Sequence, residues 1–242
     1  AALVAARHKK EAVEMKDFME AADRIIAGLQ KKGKIISDEE KEVVAHHEAG
    51  HATASWYLKH ADNLLKVSIV PRGRSLGAAW YLPEENVIYT KEQLLDRLCA
   101  SLAGRAAEDI IFGRVSSGAL DDLEKVTKQA YTMVAYYGLN ESLGNISYYD
   151  STGQQGMFQK PYSEATAQKI DEDVQNMVSD AYERTKKILS EHEEELRTLA
   201  KTLLEKEVVL KKDLDGIFKE PPAREEDENV TSAFNENGQG NS

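Results

Sequence analysis

The sequence predicts a mainly α-helical protein with a small β-sheet. Three observations carry this: apolar residues recur at helical spacing over most of the chain, two helix starts are written as capping boxes, and two-residue alternation is confined to one short region between Leu65 and Leu82. The chain has 242 residues, a formal net charge of −11 and 41% hydrophobic residues, a composition suited to a folded core rather than to disorder. The acidic balance leaves no basic stripe to neutralise phosphates, which argues against a nucleic-acid partner. The single cysteine, Cys99, excludes an internal disulfide framework or a Cys-rich metal module, and its setting among Leu94, Leu95, Leu98 and Leu102 makes it a small buried hydrophobe. No run of 18 apolar residues is present, so this stretch is expected to make no membrane contact of its own. The first residues, apolar before basic and without an initiating Met, reverse a signal peptide's order and suggest a piece of something longer.

Each element has its local reason. Val13, Phe18, Ala21, Ile25 and Leu29 line one face of a helical segment over residues 3–32, which Gly33 closes. Ser37 and Glu40 form a capping box, with Asp38, Glu39 and Glu40 at the positive end of a helix expected over about 38–60. Leu65, Val67 and Ile69 alternate with Lys66 and Ser68 as a strand that Pro71-Arg72-Gly73 ends, and a second strand spans Leu76 to Leu82 before Pro83. Thr90 with Gln93 caps a helix running to Phe112, stopped by Gly113. After a turn at Ser116-Ser117-Gly118, a helix is expected over about 121–137, ending at Gly138. Beyond an irregular Gly- and Tyr-rich stretch, Ser163 opens a long helix carrying Ile170, Val174, Met177, Val178, Ala181, Thr185, Ile188 and Leu189. Helical pattern continues to Leu210 and again near Leu214 to Phe218, and an acidic tail over 220–242 is expected to be solvated and disordered.

Chemistry concentrates in one place. His47-Glu48-Ala49-Gly50-His51 has the H-E-x-x-H form, and on a helix the two histidines stack on one face at a separation one Zn²⁺ can bridge. Glu48 points aside from such a metal, where it can act as a base on the water the zinc activates. Gly50 inside a helix costs about 1 kcal/mol relative to Ala, so another backbone or a substrate is expected close by. His46 lies about 100° around the helix and reads as a neighbour rather than a ligand. His60 and His192 read as surface residues. A catalytic zinc needs a third protein ligand and an open position. Without clustered Cys or further His, the candidates are Glu108, Asp109, Asp121, Asp122 and Glu124. Asp122 leads the apolar stripe Val126, Ala130, Met133, Tyr137 and faces inward, whereas Asp121 leads Lys125, Lys128 and Thr132 and faces water. A carboxylate on a buried face needs a partner or a metal, which selects Asp122, with Glu108 or Asp109 as the fallback. The fold class sharpens accordingly to a mainly α zinc metallopeptidase domain with a small sheet near the active-site helix. The strand Leu76, Gly77, Ala78, Ala79, Trp80 is either an internal hairpin strand or an edge to which an extended polypeptide adds.

These motifs, from Val44 to Ala52, Lys66 to Gly73, Leu76 to Pro83, and Ser117-Gly118-Ala119-Leu120-Asp121-Asp122-Leu123, resemble the FtsH-type ATP-dependent zinc metalloproteases over roughly residues 1–219. The resemblance places a third zinc ligand at Asp122, in agreement with helix register, and favours substrate binding for the Leu76–Trp80 strand. It implies that residues 1–32 end an AAA+ lid, that 33–219 form the peptidase domain and that 220–242 are a tail. It further implies a zinc endopeptidase degrading unfolded or membrane-extracted polypeptides, with one Zn²⁺ per chain, as a homo-hexamer fed by an AAA+ ATPase in cis. ATP and Mg²⁺ would bind in that ATPase domain, since no phosphate-loop motif occurs here. The full-length protein is expected in a bacterial inner membrane with the peptidase on the cytoplasmic side, or alternatively in the mitochondrial inner membrane. The rival reading is a non-catalytic helical oligomerisation or adaptor domain, which predicts no stoichiometric zinc. A free-standing metallopeptidase is disfavoured by the lid-like first 32 residues.

Overall fold

A computed structural model describes residues 1–26, 28–29, 37–72, 76–82, 87–149 and 161–222. The expected breaker Gly33, the strand-ending Gly73 and Pro83, and most of the acidic tail lie outside these residues. In chain order the elements are α1 (Ala2–Arg7), α2 (Met15–Ile26), α3 (Asp38–Tyr57), β1 (Asn63–Ser68), β2 (Ala78–Leu82), α4 (Lys91–Phe112), α5 (Leu120–Tyr131), α6 (Glu164–Glu191), α7 (Glu193–Lys206), β3 (Val208–Leu210) and α8 (Lys211–Leu214). The helical segment expected over 3–32 is therefore two helices that pack on each other, α1 and α2. Its apolar stripe is left open, with Phe18 57% and Ile25 85% exposed.

The two capping boxes fix where α3 and α4 begin: Glu40 N–H donates to Ser37 Oγ at 3.2 Å and Gln93 N–H to Thr90 Oγ1 at 3.3 Å. Gly113 ends α4 with a φ of +62°, the left-handed conformation that glycine adopts without steric cost. Helix α4 packs on α3 from one side and on α6 from the other, while α7 covers a second flank of α3. The α3–α4 contact runs along the face of α3 that carries His47, Gly50 and His51, and on α4 it meets Ala100, Ala103, Gly104, Ala107 and Glu108, most of them small residues. Its closest point is Gly50, where a Cβ would lie 2.5 Å from the Ala103 carbonyl oxygen and from Ala107 Cβ. The backbone approach expected at Gly50 is thus that of α4. Cys99 is buried between α4 and α6, its Sγ–H directed at the Ala181 carbonyl.

The sheet is antiparallel in the order β2-β1-β3. Strand β1 departs from simple alternation. Leu64 opposes Tyr81 and Lys66 opposes Trp80, so Leu65 is an extra residue in a bulge and is 42% exposed. The bulge resets the pleat, so that Leu64, Val67 and Ile69, rather than Leu65, carry the core face. The third strand replaces expected helix: α7 stops at Lys206, Glu207 turns the chain with a φ of +59°, and Val208–Leu210 pairs with Lys66–Ser68. Three residues are too few to display a period of two, and their partner lies far away in the chain. Helix α5 continues into a π-helical turn over Thr132–Tyr136 rather than as a regular helix to 137. His192, expected at the surface, stacks on Tyr57 with centroids 3.4 Å apart, because the break between α6 and α7 turns it inward.

Candidate metal centre and active site

Helix α3 delivers His47, Glu48 and His51, all held among buried or nearly buried groups. The two imidazoles, one turn apart, have centroids 4.8 Å apart. Each uses Nδ1 on α4. His47 Nδ1 donates to Glu108 Oε1 at 2.7 Å, and His51 Nδ1 donates to the Ala100 carbonyl at 2.8 Å. A carbonyl can only accept, so His51 carries its proton on Nδ1, and the Glu108 carboxylate imposes the same tautomer on His47. Both Nε2 lone pairs then face one another, 3.1 Å apart. Asp122 Oδ2, from the first turn of α5, sits 3.3 Å from His47 Nε2 and 3.4 Å from His51 Nε2. Three acceptors converge with no hydrogen between them, an arrangement that a cation or an added proton must hold together. Tetrahedral zinc with bonds of 2.0–2.1 Å places its ligand atoms about 3.4 Å apart. These donors could therefore hold a metal ion, and the nitrogen and carboxylate set is one that zinc accepts.

The electrostatics agree. Burial pulls the His47 pKa down, but Asp122 and Glu108 beside it win and push it up to about 10. Burial acts to raise Asp122, yet the facing histidines hold its carboxyl well below the usual carboxylate range. The site attracts positive charge whatever its source. Glu48 moves the other way: its carboxyl is raised by burial, against the opposing pull of His51 and His47.

Two glycines make room here. At Gly104 of α4 a Cβ would lie 2.4 Å from His47 Nε2 and 2.5 Å from His51 Nε2, so the helix passes directly beneath the imidazoles. At Gly77, just before β2, a Cβ would lie 2.7 Å from Glu48 Oε1. Strand β2 then runs alongside α3, reaching Tyr81, whose hydroxyl meets Ser55 at 3.1 Å and whose pKa is raised by burial. Among the described residues β2 has a neighbour on one side only, β1. Ala78, Ala79 and Trp80 thus stand on an edge strand, with Leu76 and Gly77 leading into it.

The other sequence candidates are placed elsewhere. Glu108 contributes no atom to the convergent set; its Oε1 accepts from His47, and its Oε2 accepts the Ser116 N–H at 2.6 Å, tying the loop before α5 to the histidine. Asp109 pairs with Lys186 at 3.0 Å and accepts from the Tyr182 hydroxyl. Asp121 is exposed, and Lys125, four residues further on, lies 3.6 Å from Asp122 Oδ1. Glu124 pairs with Lys128. His46 donates Nδ1 to the Glu42 carbonyl and meets Phe112 edge-on. Sequence reasoning missed Gly104 and the orienting role of Glu108. A helical glycine four turns from a capped start is the only signal that could have found the first, and none marks the second.

A helix presenting two histidines and an intervening glutamate, closed by a carboxylate from a second helix, defines a metal-dependent peptidase domain of mainly helical fold. The chain belongs to peptidase family M41, whose model matches residues 34–217. It is 56% identical over 218 residues to the ATP-dependent zinc metalloprotease FtsH of Parabacteroides distasonis, covering 90% of this chain and 32% of that protein. It is 54% identical over 221 residues to the ATP-dependent zinc metalloprotease FtsH of Rhodothermus marinus, covering 90% and 32%. It is also 54% identical over 215 residues to the mitochondrial inner membrane m-AAA protease component AFG3L2 of Mus musculus, covering 88% and 27%. The chain spans about a third of the length of these curated relatives. Relatives are thus bacterial and mitochondrial, and among the described residues no helix is long and apolar enough to cross a membrane.

Proposed function

We propose that this chain is the proteolytic part of an ATP-driven zinc endopeptidase, with His47, His51 and Asp122 as the zinc ligands and Glu48 as the general base. The observation that carries the reading is the convergence of two imidazole lone pairs and a carboxylate oxygen beside a buried glutamate. When bound, Zn²⁺ supplies the Lewis acidity that polarises a carbonyl and makes water nucleophilic near neutral pH. Glu48, its proton affinity raised by burial, takes a proton from the attacking water and delivers it to the leaving amine. Glu108 and the Ala100 carbonyl hold the imidazoles in the tautomer that keeps Nε2 free. The edge of β2 that carries no other described strand receives an extended polypeptide by backbone hydrogen bonds, with Ala78, Ala79 and Trp80 along it, Leu76 and Gly77 leading into it, and the missing side chain at Gly77 leaving room for the Glu48 carboxylate. Recognition through the backbone tolerates many sequences, which suits unfolded or membrane-extracted substrates.

The relatives' names and their greater length support placing the chain in a larger assembly: an AAA+ ATPase in cis that binds ATP and Mg²⁺, a homo-hexamer, and an anchor in a bacterial inner membrane with the peptidase facing the cytoplasm, or in the mitochondrial inner membrane. Within it, residues 1–32 end the ATPase lid, residues 33–219 form the peptidase domain and residues 220–242 are an acidic tail. The test is Glu48→Gln, measured for zinc content and for hydrolysis of an unfolded protein. Retained zinc with hydrolysis reduced at least about a hundredfold is expected. Unchanged turnover would remove Glu48 from its role, and absence of zinc from the unmodified, metal-repleted chain would favour a non-catalytic adaptor.

A further inference from the structure

The outer face of β2 differs from its inner face in a way that bears on which side chains a bound polypeptide prefers. Gly77, Ala79 and Tyr81 share the face toward α3, where Ala79 and Tyr81 pack on the core. Trp80 has the opposite parity and points away from that core. Across the sheet its partner is Lys66 of β1, whose Nζ sits 4.4 Å from the indole centroid, a cation–π contact between the two strands. Lys66 itself is only 8% exposed, while Trp80 remains half-buried and Leu82, two residues on along the same face, is 55% exposed. One flank of Trp80 is taken by β1, and the flank toward the free edge carries no described strand.

We infer that Trp80 forms a specificity subsite for an aromatic or bulky aliphatic side chain of the bound polypeptide. The inference rests on the edge-strand reading of β2 given above and deepens it. A strand added at this edge pairs residue for residue with β2, and directly opposed residues project to the same face. The residue opposite Gly77 lies at Glu48, where cleavage would occur. The residue opposite Trp80 is three positions away along the peptide, and its side chain lands beside the indole. An odd separation is required, because the cleaved residue projects toward α3 and the subsite is on the other face. Lys66 stacks its ammonium on the ring from the neighbouring strand, so the indole is already part of the sheet's outer face when a second apolar side chain reaches it. Selection therefore acts at one position removed from the chemistry, on top of sequence-tolerant backbone pairing.

The test uses zinc-loaded Glu48→Gln chain, which binds without cleaving, and nine-residue Thr/Ser peptides in which one Phe is walked through the sequence. Binding is followed by amide NMR signals of residues 77–82 and by the Trp80 indole N–H. The second tryptophan, Trp56, is an internal control, because it is buried, stacked on Phe218 and donates its Nε1–H to the Lys219 carbonyl. The expected result is a single Phe position that tightens binding about fivefold over Ser, the upper end for a cross-strand aromatic pair, and shifts the Trp80 indole but not that of Trp56. In Trp80→Thr that preference falls to within twofold of unity, and Trp80→Tyr restores it. Shifted β2 amides with the same Phe preference in Trp80→Thr would overturn the subsite and leave the edge-strand reading standing. Unshifted β2 amides at saturating peptide would overturn both.

Discussion

His47 and His51 point their Nε2 atoms at one another across 3.1 Å while each Nδ1 is engaged by α4, one by the Glu108 carboxylate and the other by the Ala100 carbonyl. Two lone pairs at that distance repel, and Asp122 adds a negative oxygen to the same space. The geometry therefore needs a cation or an added proton between these atoms, which makes the consequences of changing any one partner specific.

Zinc content separates the two adjacent aspartates. The chain is expected to bind close to one zinc, to lose it in Asp122→Asn and to keep it in Asp121→Asn, because of these two aspartates it is Asp122 whose carboxylate meets both Nε2 atoms. Elemental analysis of the three proteins after metal repletion checks this. Loss with Asp121→Asn would mean that a different carboxylate completes the site.

Glu108→Gln keeps the size but puts an amide where both His47 Nδ1–H and the Ser116 N–H need an acceptor. One of the two is left without one. Zinc affinity measured by chelator competition should fall about 10- to 100-fold. Stability should fall by about 1–3 kcal/mol in denaturant titration of the metal-free chain.

Gly104→Ala and Gly50→Ala should fail differently. At Gly104 the new methyl meets the ends of two imidazole rings, which can swing away, so zinc binding is lost while the helix, favoured by Ala over Gly by about 1 kcal/mol, is kept. At Gly50 it meets the Ala103 backbone and Ala107, which cannot move without parting α3 from α4. That overpacking should cost about 1–3 kcal/mol of stability. Zinc titration and thermal melts of both variants distinguish the cases.

The metal-free chain should have a pH optimum of stability set by the same residues. His47 rises from 6.5 to about 10 in the folded state, so its stabilising effect is complete below pH 6.5 and is lost as pH climbs toward 10. The Asp122 carboxyl is depressed below its ordinary 3.8, so its effect is present above that pH and disappears in stronger acid. Melting temperatures of the metal-free chain should therefore fall on both sides of the window between 3.8 and 6.5. Saturating zinc, which takes the place of the proton on His47, should remove the alkaline decline. A flat metal-free profile from pH 6.5 to 10 would contradict the arrangement.

What could be read from the chain alone was local. The capping boxes at Ser37 and Thr90, the cap at Ser163 and the stop at Gly113 each act within four residues, so α3, α4 and α6 begin or end where the sequence places them. The phase of α3 put His47 and His51 on one face, and that of α5 turned Asp122 inward and Asp121 outward, because helical geometry converts spacing into direction without help from the rest of the fold. Tertiary structure decided what depends on partners far away. The bulge that ejects Leu65 is set by pairing with β2, and β3 exists only because Val208–Leu210 finds β1. Glu108 becomes the orienting partner of His47 across 61 residues of sequence, and Gly104 comes to lie beneath both imidazoles, because helices of small residues let α4 approach α3 closely. A spacing of three or four residues is encoded in the chain; which surface meets that face is settled only when the helices pack.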